Sequence, residues 1–195
     1  LTNIRASDLT PASGDRDEYN FNEDDNDFNR DLDISTDSNI RITQGAEVII
    51  CSGSMVVLKQ NTNILINSGG KLQIKKCEGS DVATIFMSKA ESTPWGGFVI
   101  QGKDSQLVAA HTIFLWSGSS DAQPIDGDHK RGLGHRNDVP LVSVSFHGSV
   151  QIESSQLVYG AGQAIVASTG ASVDINYSLI QGFACGLQCN NASVH

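Results

Sequence analysis

Residues 148 to 169 read GSVQIESSQLVYGAGQAIVAST, residues 170 to 191 read GASVDINYSLIQGFACGLQCNN, and Ala192, Ser193 and Val194 begin the phrase again. Val150 and Ile152 recur as Val173 and Ile175, Ser155 as Ser178, Leu157 as Ile180, Gly160 as Gly182 and Ile165 as Leu187, a period of about 22 residues. A fixed period of this length marks a solenoid, in which each unit buries its apolar side only against its neighbours. Inside one copy the apolar residues alternate with polar ones over runs of three to five, which is the period of strands and not of helices. Three short strands per coil of about 22 to 24 residues, separated by Gly, Ser, Asn and Thr, predict an all-β chain folded as a parallel β-helix. Stacked coils pair each strand with its equivalent one coil on, and this satisfies the backbone without crossover helices.

Outward from that stretch, the same code runs through Ile40 and Ile42, Val48 and Ile50, Met55 and Val57, Ile64 and Ile66, and Leu72 and Ile74. It starts at Leu32 and Ile34, so residues 31 to 195 are expected to form the β-helix and residues 1 to 30 an acidic lead-in or cap. The interval from Leu72 to Leu107 exceeds one coil, and so does that from Leu107 to Val150. Inserted segments are therefore placed near 77–94 and 117–139. A hydrophobic fraction of 39% with only 6% aromatics suits a narrow aliphatic core, and 19 glycines suit many tight corners.

The net charge of −9 sits mainly at the start, where residues 1 to 37 set half of the 22 acids against Arg5, Arg16 and Arg30. This is the opposite of the basic footprint of a nucleic-acid binder. No apolar run reaches the ~20 residues of a membrane-spanning helix. The chain opens on Leu1 and closes just inside a new coil, so it reads as a piece of a longer or assembled structure, whose partners would be other copies or further coils.

The repeats of form Gly-x-x-Val-x-Ile, followed by Thr93, Pro94, Trp95, Gly96, Gly97, Phe98, Val99 and Ile100, resemble secreted right-handed parallel β-helix proteins of the pectin-lyase-like superfamily. The likeness covers roughly residues 31 to 195. It implies a right-handed coil and an extracellular or cell-surface location. It leaves activity open, because polysaccharide lyases, glycoside hydrolases, adhesins and structural surface proteins share the fold.

Three groups of residues could carry chemistry. The segment 121 to 138, DAQPIDGDHKRGLGHRND, gathers charged side chains on a loop from a rigid scaffold. In a lyase, Lys130, Arg131 or His135 would abstract a proton alpha to a uronate carboxylate, neutralised by Arg136 or by a calcium held on Asp126 and Asp128. In a hydrolase, Asp126 and Asp128 would be the paired carboxylates. The plainer reading is a solvated turn, and the sequence leans that way. The second group, Asp25, Asp27, Asn29, Asp31 and Asp33, alternates oxygen ligands in the manner of a calcium loop, although Arg30 and Thr36 depart from the EF-hand pattern. Calcium is the one cofactor the sequence suggests. The third comprises the sequons at Asn176 and Asn191 and four cysteines, Cys51, Cys77, Cys185 and Cys189, as disulfide candidates. Cys51 and Cys77 lie about one coil apart, and buried free thiols remain the alternative for all four. His111 and His147 read as structural residues.

The expected function is an extracellular structural scaffold in a surface fibre, appendage or matrix, assembling through coil ends and charged loops. The alternative is a polysaccharide-active enzyme or glycan-binding module using the 121–138 loop.

Overall fold

The computed structural model describes residues 18–21, 27–28, 32–34, 39–60, 62–76, 82–88, 94–118, 140–160 and 162–195. Among the described residues twenty strands follow one another in triplets. The first triplet is β1 (Glu18–Phe21), β2 (Asp27–Phe28) and β3 (Leu32–Ile34), and the second is β4 (Asn39–Ile42), β5 (Glu47–Cys51) and β6 (Met55–Leu58). Next come β7 (Ile64–Asn67), β8 (Lys71–Lys75) and β9 (Thr84–Ser88), then β10 (Phe98–Gln101), β11 (Gln106–Ala110) and β12 (Thr112–Leu115). The chain continues through β13 (Val142–Ser145), β14 (Ser149–Glu153) and β15 (Gln156–Val158), and through β16 (Gln163–Ser168), β17 (Ser172–Asn176) and β18 (Leu179–Gln181). It ends on β19 (Cys185–Asn190) and β20 (Ser193–Val194).

Every third strand joins the same sheet. The first sheet runs β1-β4-β7-β10-β13-β16-β19, the second β2-β5-β8-β11-β14-β17-β20 and the third β3-β6-β9-β12-β15-β18, with all pairs parallel. This is the expected parallel β-helix, and the described residues include no helix. The sequence repeat maps onto the register directly: Val150 pairs with Val173, Ile152 with Ile175, Leu157 with Ile180, Ile165 with Leu187 and Val173 with Val194.

Inward positions form one aliphatic column per strand position, such as Val48, Leu72, Leu107, Val150 and Val173, each at most 2% exposed. Burial of this apolar area, at roughly 25 cal/mol per Å², is the main force holding one coil on the next. The wider coil between β9 and β12 is filled by aromatics. Phe86, Trp95, Phe98 and Phe114 are fully buried, with ring centroids 5.4 to 6.1 Å apart in tilted and edge-to-face pairs. Trp95 Nε1 donates to the Leu115 carbonyl at 2.9 Å, so burial leaves the indole satisfied. A Cβ at Gly97 would collide with the Pro140 and Leu141 carbonyl oxygens, so the Trp-Gly-Gly run is required by the packing of adjacent coils.

Several boundaries differ from the sequence expectation. The ladders reach back before Asp31, since β1 pairs with β4 and β2 with β5. Strand β9 lies inside the stretch 77–94 and pairs regularly with β6 and β12. Residues 77–81, 89–93 and 119–139 lie outside the described residues. In β6 the inward residues are Val56 and Leu58, whereas Met55 and Val57 face outward. All four side chains are apolar, so hydrophobicity alone does not fix which pair turns inward.

Candidate functional site

Polar side chains in this stack have two addresses, and the first is the corners, where they form ladders. Ser155 Oγ donates to the Glu153 carbonyl at 2.7 Å and accepts the Thr112 N–H at 3.1 Å, while the Ser155 N–H donates to Ser178 Oγ at 3.1 Å. Asn39 Oδ1 accepts the Asn63 N–H at 3.0 Å, and Asn63 Oδ1 accepts the Gly97 N–H at 3.1 Å. Ser105, fully buried, accepts the Gly69 N–H and donates to the Gln101 carbonyl. Each ladder satisfies backbone groups at a turn where the sheet bonds stop.

The second address is the outer face of the second sheet. Glu47 lies opposite Lys71, and Gln73 is hydrogen-bonded to Glu47 across the same strand pair. Lys75 Nζ donates to Gln73 Oε1 at 3.2 Å. Further along, Gln151 lies beside Asp174 and Glu153 beside Asn176, with Asn176 Nδ2 donating to Asp174 Oδ1 at 2.7 Å. The strands set these carboxylates, amides and amines about 4.8 Å apart along the axis. The outward Val108 and Ala110 of β11 divide these side chains into two polar groups, each of which can exchange hydrogen bonds with a hydroxyl-rich ligand.

The residues picked out from sequence fall unevenly on this structure. Asp126, Asp128, Lys130, Arg131, His135 and Arg136 lie outside the described residues, as do Asp25, Asn29 and Asp31. Asp27 opens β2 and Asp33 lies in β3, two strands whose backbones pair with β5 and β6. Among the described residues no group of three or more His, Cys, Asp or Glu is placed to hold a metal ion. Asn176 is exposed at the end of β17, and Asn191 is exposed in a left-handed corner at φ 55°. His111 and His147 are exposed at corners of the same left-handed kind, at φ 52° and 66°.

The cysteines separate into two classes. Cys51 is disulfide-bonded, and Cys77 lies outside the described residues. Cys185 and Cys189 are free thiols, which corrects their standing as disulfide candidates. Four residues apart on one strand, they stand about 13 Å from each other, far beyond bridging distance. Their register with Gln163 and Ala167, on either side of the Ile165–Leu187 pair, gives them core-facing positions instead.

The corner ladders were missed in the sequence reading, although their signal was present. Asn39 and Asn63 are 24 residues apart, one coil, and so repeat as Val48 and Leu72 do. No helix among the described residues is long and apolar enough to cross a membrane. Comparison with protein-family models, with curated proteins and with solved structures finds no match to the chain.

Proposed function

We propose that this protein is an extracellular structural scaffold, a component of a surface fibre, appendage or matrix. The observation that carries this reading is the unbroken register of three ladders along the described chain. That arrangement produces a rigid rod whose buried polar groups serve the coil corners. The disulfide at Cys51 supports an oxidising compartment outside the cytosol. Assembly would use the coil ends together with the charged 121–138 loop. Exposed Asn176 and Asn191 are the positions a glycan would occupy, and Asp25, Asp27, Asn29, Asp31 and Asp33 the calcium ligands, if the chain carries either.

Electron microscopy of the purified chain tests the proposal. Straight rods that lengthen by end-to-end addition support it, and dispersed particles at all concentrations and calcium levels overturn it.

A second reading, glycan binding or cleavage, is favoured by the two groups of polar side chains on the second sheet and draws on the likeness to pectin-lyase-like proteins. Its reactive groups would be Asp126, Asp128, Lys130, Arg131, His135 and Arg136. A panel of uronate and neutral polysaccharides, scored for both binding and turnover, distinguishes it from the scaffold reading.

A further inference from the structure

One row of polar side chains belongs to neither of those two addresses. It lies on the outer face of the first sheet, where Asn67, Gln101 and Ser145 stand in register and Ser168 and Asn190 continue the row coil by coil. Among the described residues none of these five side chains makes a hydrogen bond, in contrast to the corner ladders and to the bonded amides of the second sheet. Ser145 is 8% exposed, yet its hydroxyl has no partner within the chain. Polar groups so nearly buried are ordinarily paired, and a row of open ones calls for a partner from outside.

Beside this row runs a second outward column, Leu65, Val99, Ser143, Val166 and Gln188. Its first four members are half-buried. No outward-facing side chain on β7, β10, β13, β16 or β19 is charged, and charge returns at Arg41 of β4, beside Leu65.

We infer that the row binds a neutral, hydroxyl-rich polysaccharide strand lying along the coil axis. The inference goes beyond the scaffold reading and depends neither on it nor on the 121–138 loop.

Three features select this occupant. Amide and hydroxyl side chains both donate and accept, as a sugar hydroxyl does, so either partner can supply whichever group the other lacks. A face without charge has nothing to neutralise a uronate or phosphate polymer, and its contacts are not weakened by salt. The strands repeat at about 4.8 Å, close to the rise of one hexose unit in an extended chain, so successive sugars meet successive coils. From Asn67 to Asn190 the row spans about 19 Å, the length of roughly four such units, and the column of Leu65, Val99 and Val166 lies about 7 Å to one side, where the C–H faces of the rings would rest.

Calorimetric titration of the full chain with cello-, xylo- and chito-oligosaccharides of increasing length, and with an oligogalacturonate for comparison, is the test. At least one neutral series should bind with a Kd below about 1 mM. Its affinity should rise with length up to roughly four units and stay the same at low and high salt. Gln101→Ala removes an exposed amide that bonds to nothing in the chain, so circular dichroism and melting temperature should not change while binding weakens about fivefold to tenfold. Gln151→Ala, on the second sheet, should leave the affinity as it was. Failure of every neutral series to bind, preference for the oligogalacturonate, or loss of binding in Gln151→Ala but not in Gln101→Ala overturns the inference. Electron microscopy keeps the two ideas apart: rods without sugar binding remove only this site, and sugar binding without rods removes only the scaffold reading.

Discussion

His147 occupies a backbone conformation usually reserved for glycine, at φ 66°, and Phe146 beside it sits at φ 51°. The equivalent corner one coil on is Thr169 followed by Gly170, at φ 73°. Gly170 also leaves room for the exposed His147 imidazole, which a Cβ there would push aside. For an L-residue the left-handed conformation costs about 1–2 kcal/mol, partly offset when glycine's larger unfolded-state entropy is counted. His147→Gly should therefore stabilise the protein by about 0.5–1 kcal/mol, measured as a higher urea midpoint. A lower midpoint would mean that the ring's contact over Gly170 outweighs the strain. Gly97→Ala acts in the opposite direction. Its methyl group meets two carbonyl oxygens of the next coil, and the cost should be about 1–3 kcal/mol, the usual penalty for overpacking.

Among the elements, the corner between the second and third sheets depends on Ser155. Ser155→Ala would remove the acceptor for the buried Thr112 N–H, and an unsatisfied buried donor costs about 1–3 kcal/mol. Ser155→Thr keeps the hydroxyl and should recover part of that loss in the same denaturation series. Phe86→Ala, in the middle of the aromatic cluster, should cost about 3–5 kcal/mol by opening a cavity between coils. How much of these elements the sequence discloses depends on what each strand offers. Val150 and Val173 could be paired on sight because polar neighbours alternate cleanly around them and the same phrase occurs twice. Met55 to Leu58 could not be oriented, because both faces of β6 are apolar; the outward half belongs to the outer face of the third sheet. Strand β9 was concealed by its setting, a five-residue strand between two stretches of irregular length. Cys185 and Cys189 were disulfide candidates by count, with free thiols as the alternative, and their core-facing register appears only once Leu187 is set opposite Ile165. The charged segment 121–138 breaks the coil rhythm that orients the other residues, so spacing says nothing of how its side chains are arranged.

At the scale of the whole molecule, stability adds up coil by coil, with one covalent tie at Cys51. Reduction should lower stability by about 2–4 kcal/mol, read as a fall in melting temperature on adding dithiothreitol to the intact protein. Free Cys185 and Cys189 should react with a thiol probe before reduction, and Cys51 only after it.

The hydrogen bonds between coils all point along the stacking axis. Tension applied to the two termini loads three strands side by side at each junction, but loads the junctions one after another. Resistance to stretching is then that of the feeblest junction, and adding coils gives length without strength. Once a junction yields, about 22 residues are released, so an optical trap should record a staircase of extensions near 75 Å. A filament built this way would resist sideways bending and part coil by coil when drawn out.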